Sequence, residues 1–184
     1  MIKIKISDKL ISYCKKQVEL YNFGQRGIAD GNKEEQFIGC IGESIVRKIF
    51  GKPPLNGSNG FDGGYDILYE GVKIDVKTMG RTTDVKDYYV HNFIALQKKY
   101  DVDVYIFTSF NKRKKELTLC GWITKEDFFK KAKFFKKGTK RYRSDGSYFE
   151  TKADLYEIKN SELNDITDFD KLKFEILKNI KEKK

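Results

Sequence analysis

The stretch YDILYEGVKIDVKT, which spans residues 65–78, contains two apolar-alternating runs around Glu70-Gly71. Apolar and polar residues alternate on both sides of Glu70-Gly71, and this pattern is typical of two strands joined by a tight turn. A two-residue turn at this point would place Asp66 directly opposite Asp75. The sequence therefore predicts an antiparallel hairpin with two acidic residues facing each other across the strands.

These two aspartates predict a cation site on one face of the hairpin. Directly opposed residues have Cβ atoms about 5 Å apart, and like charges at that distance destabilise a sheet unless a positive group lies between them. Lys77 lies two residues beyond Asp75 and therefore shares its face, whereas Ile74 and Val76 point the other way, into the core. Carboxylate oxygens suit Mg²⁺ or Mn²⁺, which can activate a water and polarise a phosphoryl oxygen.

The alternative for this pair is that both aspartates are ordinary solvent-facing strand residues, neutralised by Lys73 or Lys77. A second open choice concerns the first acid of the pair. Asp62 is a rival for that position, although it lies before a Gly-Gly pair and outside the predicted strand.

The loop before the hairpin has the sequence GKPPLNGSNGFDGG, residues 51–64, and holds both prolines of the chain. Its glycines resemble those of a phosphate-binding loop, but such a loop needs a Lys-Ser or Lys-Thr pair after the glycines and a helix immediately beyond. Here Lys52 precedes Pro53, and a strand pattern follows. The sequence therefore argues against nucleotide binding at this loop.

A helix is predicted from about Glu34 to Phe50, upstream of the loop. Gly39 and Gly42 thin this helix, so that it could approach a sheet or a backbone closely. Glu43 would then reach over the edge of the hairpin and add a third carboxylate to the cation site. The alternative is that Glu43 simply pairs with Arg47 at i+4 on an exposed helix face.

The rest of the chain predicts an α/β (α+β) protein with a central mixed β-sheet flanked by helices, formed as a single domain over residues 1–184. The remaining strands are expected at residues 2–6, 103–110, 116–124 and 155–160. The remaining helices are expected from Ser7-Asp8 to about Gly24, from Lys125 onward, and over Phe169 to Ile180. A loop is expected at residues 25–32.

The order of these features resembles the PD-(D/E)xK nuclease superfamily, which includes many restriction endonucleases and archaeal Holliday-junction resolvases. The matching features are Glu43 on a helix, then a loop, then Asp66 in Gly-Tyr-Asp, a turn, and Asp75-Val-Lys77 on the next strand. The resemblance covers residues 34–123. It implies a restriction-endonuclease-like core there, with residues 124–184 as a basic C-terminal extension.

The same resemblance implies a metal-dependent deoxyribonuclease that hydrolyses DNA with Mg²⁺, for which Mn²⁺ can substitute. Asp66 and Asp75 would be metal ligands, Lys77 the catalytic lysine and Glu43 an additional acid that binds metal directly or through water. The backbone carbonyl of Val76 would be a further ligand. One departure is that a tyrosine stands where the motif has its proline. The alternative function is a nucleic-acid-binding module that keeps this fold without catalysis.

The charge distribution also predicts a nucleic-acid partner. The formal net charge is +10, and the segment from Lys112 to Lys152 holds 14 Lys or Arg against 5 Asp or Glu. A regional positive field attracts polyanions, so DNA is the expected partner and RNA is not excluded. A general lysine-rich composition is the alternative explanation of this charge.

Within this segment, the run FFKKAKFFKKGTKRYR interleaves aromatic and basic residues. The predicted phosphate contacts are Lys130, Lys131, Lys133, Lys136, Lys137, Lys140, Arg141 and Arg143. The alternative is that Phe128, Ala132 and Phe135, which have helical spacing, are core residues of a helix whose lysines form only a solvated face.

The remaining sequence signals bear on compartment and assembly. Three widely spaced cysteines without a CxxC motif suggest neither a disulfide framework nor a zinc site, and His91, the only histidine, argues against a histidine-based metal site. The sequence has neither a signal-peptide pattern nor a long apolar run, so we expect a cytoplasmic protein with no membrane partner. A homodimer is an open alternative, because cutting both strands at once needs two symmetric sites.

Overall fold

The computed structural model describes residues 1–24, 31–59, 63–142 and 146–182. Within these ranges the chain forms four α-helices, ten β-strands and three short 3-10 helices. The α-helices are α1 (Asp8–Leu20), α2 (Lys33–Ile49), α3 (Lys125–Lys131) and α4 (Phe169–Lys181). The strands are β1 (Ile2–Lys5), β2 (Ile67–Tyr69), β3 (Val72–Arg81), β4 (Val90–Ile94), β5 (Val104–Asn111), β6 (Glu116–Thr124), β7 (Lys133–Phe135), β8 (Lys140–Tyr142), β9 (Tyr148–Glu150) and β10 (Leu155–Lys159). The 3-10 helices are Gly57–Asn59, Ala95–Lys99 and Asn160–Glu162.

The main sheet has five strands in the order β1-β6-β5-β3-β2. It is mixed, because β3 and β5 are parallel while the other neighbouring pairs are antiparallel. A parallel pair needs a long crossover connection, and here residues 82–103 supply it and include β4. The α/β class and the mixed sheet are therefore confirmed.

The predicted hairpin forms with its predicted two-residue turn. Glu70 and Gly71 have φ of 50° and 81°, and positive φ at both central residues is the requirement of a type I′ turn. The ladder pairs Tyr69 with Val72 and ends at the pair Ile67 with Ile74.

The ladder therefore stops one position short of the expected Asp66–Asp75 pair, and the prediction that these residues are paired neighbours is wrong. The backbone amide of Asp66 donates instead to the carbonyl of Ile74 at 2.9 Å, although Ile74 is the partner of the next residue, Ile67. The backbone of Asp66 thus departs from the regular ladder.

Helix α2 begins as its sequence indicates, because Asn32 and Glu35 form a reciprocal capping box. It packs closely on the sheet at Gly42, where an added Cβ would lie 1.9 Å from Thr78 Oγ1. The prediction of a close approach is therefore confirmed for Gly42. It is wrong for Gly39, because no atom of the described residues lies within 4 Å of a Cβ added there.

The main sheet separates two cores. On one face, Ile74 and Val76 of β3 pack with Val46 of α2 and Ile176 of α4, in keeping with their predicted inward direction. Helix α1 packs on the same face beside α2. On the other face lies a second, three-stranded sheet of order β4-β10-β7 together with α3. Both α4 and β10 contribute buried residues to these cores, so the described elements after residue 124 pack against the main sheet.

The segment after residue 124 differs most from the prediction. Helix α3 has its predicted start, with Thr124 as N-cap, but it ends after seven residues at Lys131. Phe135 therefore does not continue a helix. It lies in β7, where it pairs with Leu155 of β10. Pairing with a strand twenty residues away overrides the helical spacing, and helical periodicity alone cannot reveal such pairing.

A smaller difference from the prediction concerns the end of helix α1. Helix α1 ends at Leu20, earlier than the predicted end near Gly24, because Tyr21 adopts an extended backbone. Most of the loop predicted at residues 25–32 lies outside the described residues, as do Asp62 and Arg143.

Among the described helices, none combines the length and apolar character that crossing a membrane requires.

Candidate active site

The predicted site residues lie where β3 extends beyond β2. Strand β3 continues to Arg81, whereas β2 pairs only with residues 72–74. Beyond that point no strand of the described residues pairs with this edge of β3. Asp75 and Lys77 lie on β3 itself, and Asp66 lies beside its edge.

Asp75 and Lys77 share one face of β3, as predicted. The Lys77 Nζ atom lies 2.7 Å from Asp75 Oδ2 and 2.8 Å from Oδ1. The Asp75 side chain is only 6% exposed and that of Lys77 is 21% exposed. The ammonium also lies 5.7 Å from the ring centroid of Phe93 on β4. The ion pair is therefore held in a partly enclosed space between the two sheets.

Asp66 is attached to the same strand through its side chain. Its Oδ2 accepts a hydrogen bond from the backbone amide of Val76 at 2.6 Å. The carbonyls of Lys73 and Arg81 both accept bonds on the β5 side, so alternation along β3 turns the carbonyl of Val76 toward the opposite edge, where Asp66 lies. The carboxylate of Asp66 and the carbonyl of Val76 thus face the same strand edge.

Glu43 is connected to this edge through Arg47. The NH1 atom of Arg47 lies 3.3 Å from Glu43 Oε1 and donates to the carbonyl of Asp66 at 2.8 Å. The Nε atom of Arg47 donates to the carbonyl of Pro53 at 2.8 Å. The alternative interpretation of Glu43 as an i+4 partner of Arg47 is therefore observed as a contact, but the same guanidinium also joins Glu43 to Asp66.

The link that Arg47 makes between Glu43 and Asp66 was not predicted from the sequence. Its i+4 spacing from Glu43 was visible, but that spacing is equally typical of an ordinary surface pair. The side chains of Glu43 and Arg47 are only 12% and 20% exposed, so this pair is largely enclosed. Its contact with a carbonyl nineteen residues away depends on tertiary packing.

Tyr105 is a second missed residue. It lies on β5 directly beside Asp75 of β3 and is fully buried. In the described part of the chain, its hydroxyl has no hydrogen-bond partner. Burial, and next the negative charge of Asp75, raises the pKa of this hydroxyl above its ordinary value. A buried hydroxyl without a hydrogen-bond partner lowers the stability of the folded protein. A further polar group next to the Tyr105 hydroxyl would therefore be favourable.

A divalent cation is the predicted partner of the Asp66 and Asp75 carboxylates. Among the described residues, no three His, Cys, Asp or Glu side chains form a group that could hold a metal ion. Mg²⁺, however, usually keeps several waters and binds one or two protein carboxylates. Asp66, Asp75 and the Val76 carbonyl have the oxygen chemistry that Mg²⁺ prefers, and the Tyr105 hydroxyl on the strand beside Asp75 has no hydrogen-bond partner among the described residues. The residues present therefore fit a hydrated cation.

The predicted phosphate-contacting residues lie on several elements. Exposed lysines are Lys130, Lys131, Lys133, Lys136, Lys137 and Lys140. Two of these have local partners, since Lys130 pairs with Glu126 and Lys131 donates to the carbonyl of Glu162. Arg141 is held by Glu157, with Nε to Oε1 at 3.1 Å and NH2 to Oε2 at 2.5 Å.

His91 and the cysteines lie apart from this site. The Nε2 atom of His91 is 2.8 Å from Asn160 Oδ1, and the ring lies against Phe107. Burial and then the positive charge of Arg81 lower the pKa of His91 to about 3, so it is a neutral packing residue near pH 7. All three cysteines are buried as free thiols.

Comparisons with known proteins find no matching family model, no matching curated protein and no matching solved structure. The resemblance to PD-(D/E)xK nucleases therefore depends only on the order and spacing of residues in this sequence.

Proposed function

We propose that this protein is a Mg²⁺-dependent nuclease that hydrolyses phosphodiester bonds of DNA at the unpaired edge of β3. One observation carries this proposal. Residues from α2, from the start of β2 and from β3 converge on that edge through the contacts of Arg47 and Asp66, beside the Asp75–Lys77 pair. We also propose that residues 34–123 form a restriction-endonuclease-like core.

The chemistry divides among a few groups. Asp66, Asp75 and the carbonyl of Val76 would hold the cation, which supplies Lewis acidity for the phosphoryl oxygen and an activated water. Arg47 holds the backbone of Asp66 in place by donating a hydrogen bond to its carbonyl. Glu43 lies beside that guanidinium and balances its charge.

Lys77 contributes positive charge to the reacting phosphate. In the protein alone its ammonium is held by Asp75. Asp75 would hold the cation with the same carboxylate oxygens that lie beside Lys77. Lys77 would donate to the additional negative charge that develops on the phosphate in the transition state. The enclosed position of the pair strengthens this interaction, because water screens it less.

A cleavage assay tests the proposal directly. Purified protein is incubated with supercoiled, linear duplex, single-stranded and four-way DNA, each with Mg²⁺, Mn²⁺ or EDTA. We expect cleavage that needs the metal and that Asp75→Asn removes. The matched control is Asp101→Asn, because Asp101 is 80% exposed and pairs with Lys73. Absence of cleavage on every substrate, or equal cleavage by Asp75→Asn, contradicts the proposal.

A second candidate is a nucleic-acid-binding module without catalysis. The observation in its favour is that Lys77 and Arg47 already neutralise Asp75 and Glu43 within the protein. This candidate predicts salt-sensitive binding without cleavage, and binding that Asp66→Asn leaves unchanged. An RNA substrate in the same assay tests the remaining choice of nucleic acid.

Two further proposals concern assembly and location. A homodimer would bring two sites to the two strands of a duplex, and sedimentation of the protein with and without DNA tests it. Three buried free thiols suit a reducing compartment such as the cytoplasm.

A further inference from the structure

The β8–β9 hairpin has two different faces. Strands β8 and β9 pair Lys140 with Glu150, Arg141 with Phe149 and Tyr142 with Tyr148. Because side chains alternate along a strand, the middle pair points to one face and the two outer pairs point to the other. The middle pair is half-buried and the outer pairs are exposed, so the hairpin has an inner and an outer face.

The inner face attaches the hairpin to the second sheet. Arg141 forms a two-point ion pair with Glu157 of β10, whose side chain is only 6% exposed. Its guanidinium also lies 3.9 Å from the ring centroid of Phe135. At the base of the hairpin, the amide of Gly138 donates to the carbonyl of Thr151 at 2.8 Å. These contacts hold the outer face in a defined orientation.

The outer face presents two aromatic rings and a cation. Tyr142 is 69% exposed and Tyr148 is 51% exposed, and their ring centroids are 5.9 Å apart. The Lys140 Nζ atom lies 4.8 Å from the centroid of the Tyr148 ring. Single exposed aromatic residues are ordinary on protein surfaces, but here two adjacent rings, tilted by 52° to each other, lie beside an ammonium and form a small aromatic patch with positive charge at its border.

The charge around this face determines which partner it fits. Lys133, Lys136 and Lys137 are exposed in the segment that leads into the hairpin, and Glu150 is the exposed acid opposite Lys140. A second copy of the same face would bring like charges together, which disfavours self-association here. A partner with flat rings and a regular series of negative charges matches both the tyrosines and the lysines.

We propose that the outer face of the β8–β9 hairpin binds single-stranded nucleic acid by stacking unpaired bases on Tyr142 and Tyr148, while Lys140 contacts the adjacent phosphate. Bases in a duplex already stack on each other, so only unpaired bases have free ring faces. The binding itself does not depend on the proposed function. Its consequence does rest on the proposed function, because a nuclease with this surface would prefer DNA with single-stranded regions.

Binding measured without metal tests the proposal. Fluorescence anisotropy with a labelled oligo(dT) and with a labelled duplex is recorded in EDTA, so that no cleavage occurs. We expect the double variant Tyr142→Ala/Tyr148→Ala to lower single-strand affinity about 10-fold or more, with a smaller change for the duplex. Replacement of both tyrosines by Phe keeps the rings and should keep the affinity.

The matched control is Phe174→Ala on α4, which removes a ring of 65% exposure far along the chain and should leave affinity unchanged. Unchanged single-strand affinity in the double alanine variant, or an equal loss on both DNAs, overturns the proposal. A double variant that changes only the oligomeric state in sedimentation also overturns it.

Failure of this inference can be distinguished from failure of the proposed function. Asp75→Asn should lose cleavage and keep oligo(dT) affinity. Loss of affinity in the tyrosine variant of a protein that cuts nothing supports the stacking surface and contradicts the nuclease. Metal-dependent cleavage with a tyrosine variant that binds normally supports the nuclease and contradicts the stacking surface.

Discussion

The β2–β3 and β8–β9 hairpins have the same ladder of three residue pairs but opposite surroundings. In the first, Ile67 and Ile74 are buried in the helix-side core, and β3 continues alongside β5. In the second, one face is attached to β10 through Arg141, and the other face is exposed. The two hairpins therefore have similar strand pairing but differ in how far their side chains are exposed.

The difference in side-chain exposure determines which interactions each hairpin can make. The enclosed hairpin keeps Asp75 at 6% exposure, where charge interactions are strong and positions are well defined. The exposed hairpin keeps two tyrosine rings in water, where they can contact a large ligand. We therefore expect substitutions in the first to change cleavage, and substitutions in the second to change binding.

The largest expected effect is that of Lys77→Ala. Removing this ammonium should lower the cleavage rate about 10²- to 10³-fold, because charge stabilisation in the transition state is lost. Affinity for oligo(dT), measured in EDTA, should stay the same. The control is Lys73→Ala, which removes a lysine four residues earlier on the same face of β3. An equally strong loss of cleavage in Lys73→Ala would contradict a specific role of the Lys77 ammonium.

Gly42→Ala tests the packing that supports the first hairpin. The new Cβ would lie 1.9 Å from Thr78 Oγ1, so α2 or β3 must shift, and we expect the free energy of unfolding to fall by about 3 kcal/mol. Gly39→Ala on the same helix has free space and should raise it by about 0.5 to 1 kcal/mol. Urea unfolding measures both variants, and equal stabilities would contradict the close contact.

Arg141→Ala tests the attachment of the second hairpin. The variant leaves Glu157 buried without its cation, and we expect a loss of about 2 kcal/mol because the pair is only partly enclosed. Glu157→Gln in the same protein should restore part of that loss. Lys130→Ala, which removes an exposed pair with Glu126, should cost less than about 0.5 kcal/mol. Thermal unfolding of all three variants decides whether Arg141 is an anchor or only a surface charge.

The smallest effect compares a turn glycine from each hairpin. Gly71 and Gly146 have φ of 81° and 82°, and within the described part of the chain no atom lies within 4 Å of a Cβ added to either. Replacing either by Ala should cost about 1 kcal/mol from backbone strain alone. Gly71→Ala should also lower cleavage, whereas Gly146→Ala should lower only oligo(dT) affinity. The two assays run on both variants would show whether the division of roles holds.

Several features of the fold and site followed from the sequence because they depend on neighbouring residues. The turn at Glu70-Gly71, the shared face of Asp75 and Lys77, and the start of α2 are set by turn chemistry, strand alternation and capping. Such signals act over a few residues and need no knowledge of distant contacts. The hairpin register from Ile67 to Ile74 and the shared face of Asp75 and Lys77 were therefore predictable.

Other features were decided only by the tertiary structure, because they depend on contacts between distant segments. The departure of Asp66 from the ladder coincides with its bonds to Arg47 and Val76, and Tyr105 lies beside Asp75 only through the parallel register of β3 and β5. The lysine-rich segment after residue 131 forms strands because β7 pairs with β10. Periodicity in a sequence specifies which face a residue occupies, whereas the partner on that face is chosen when the segments pack together.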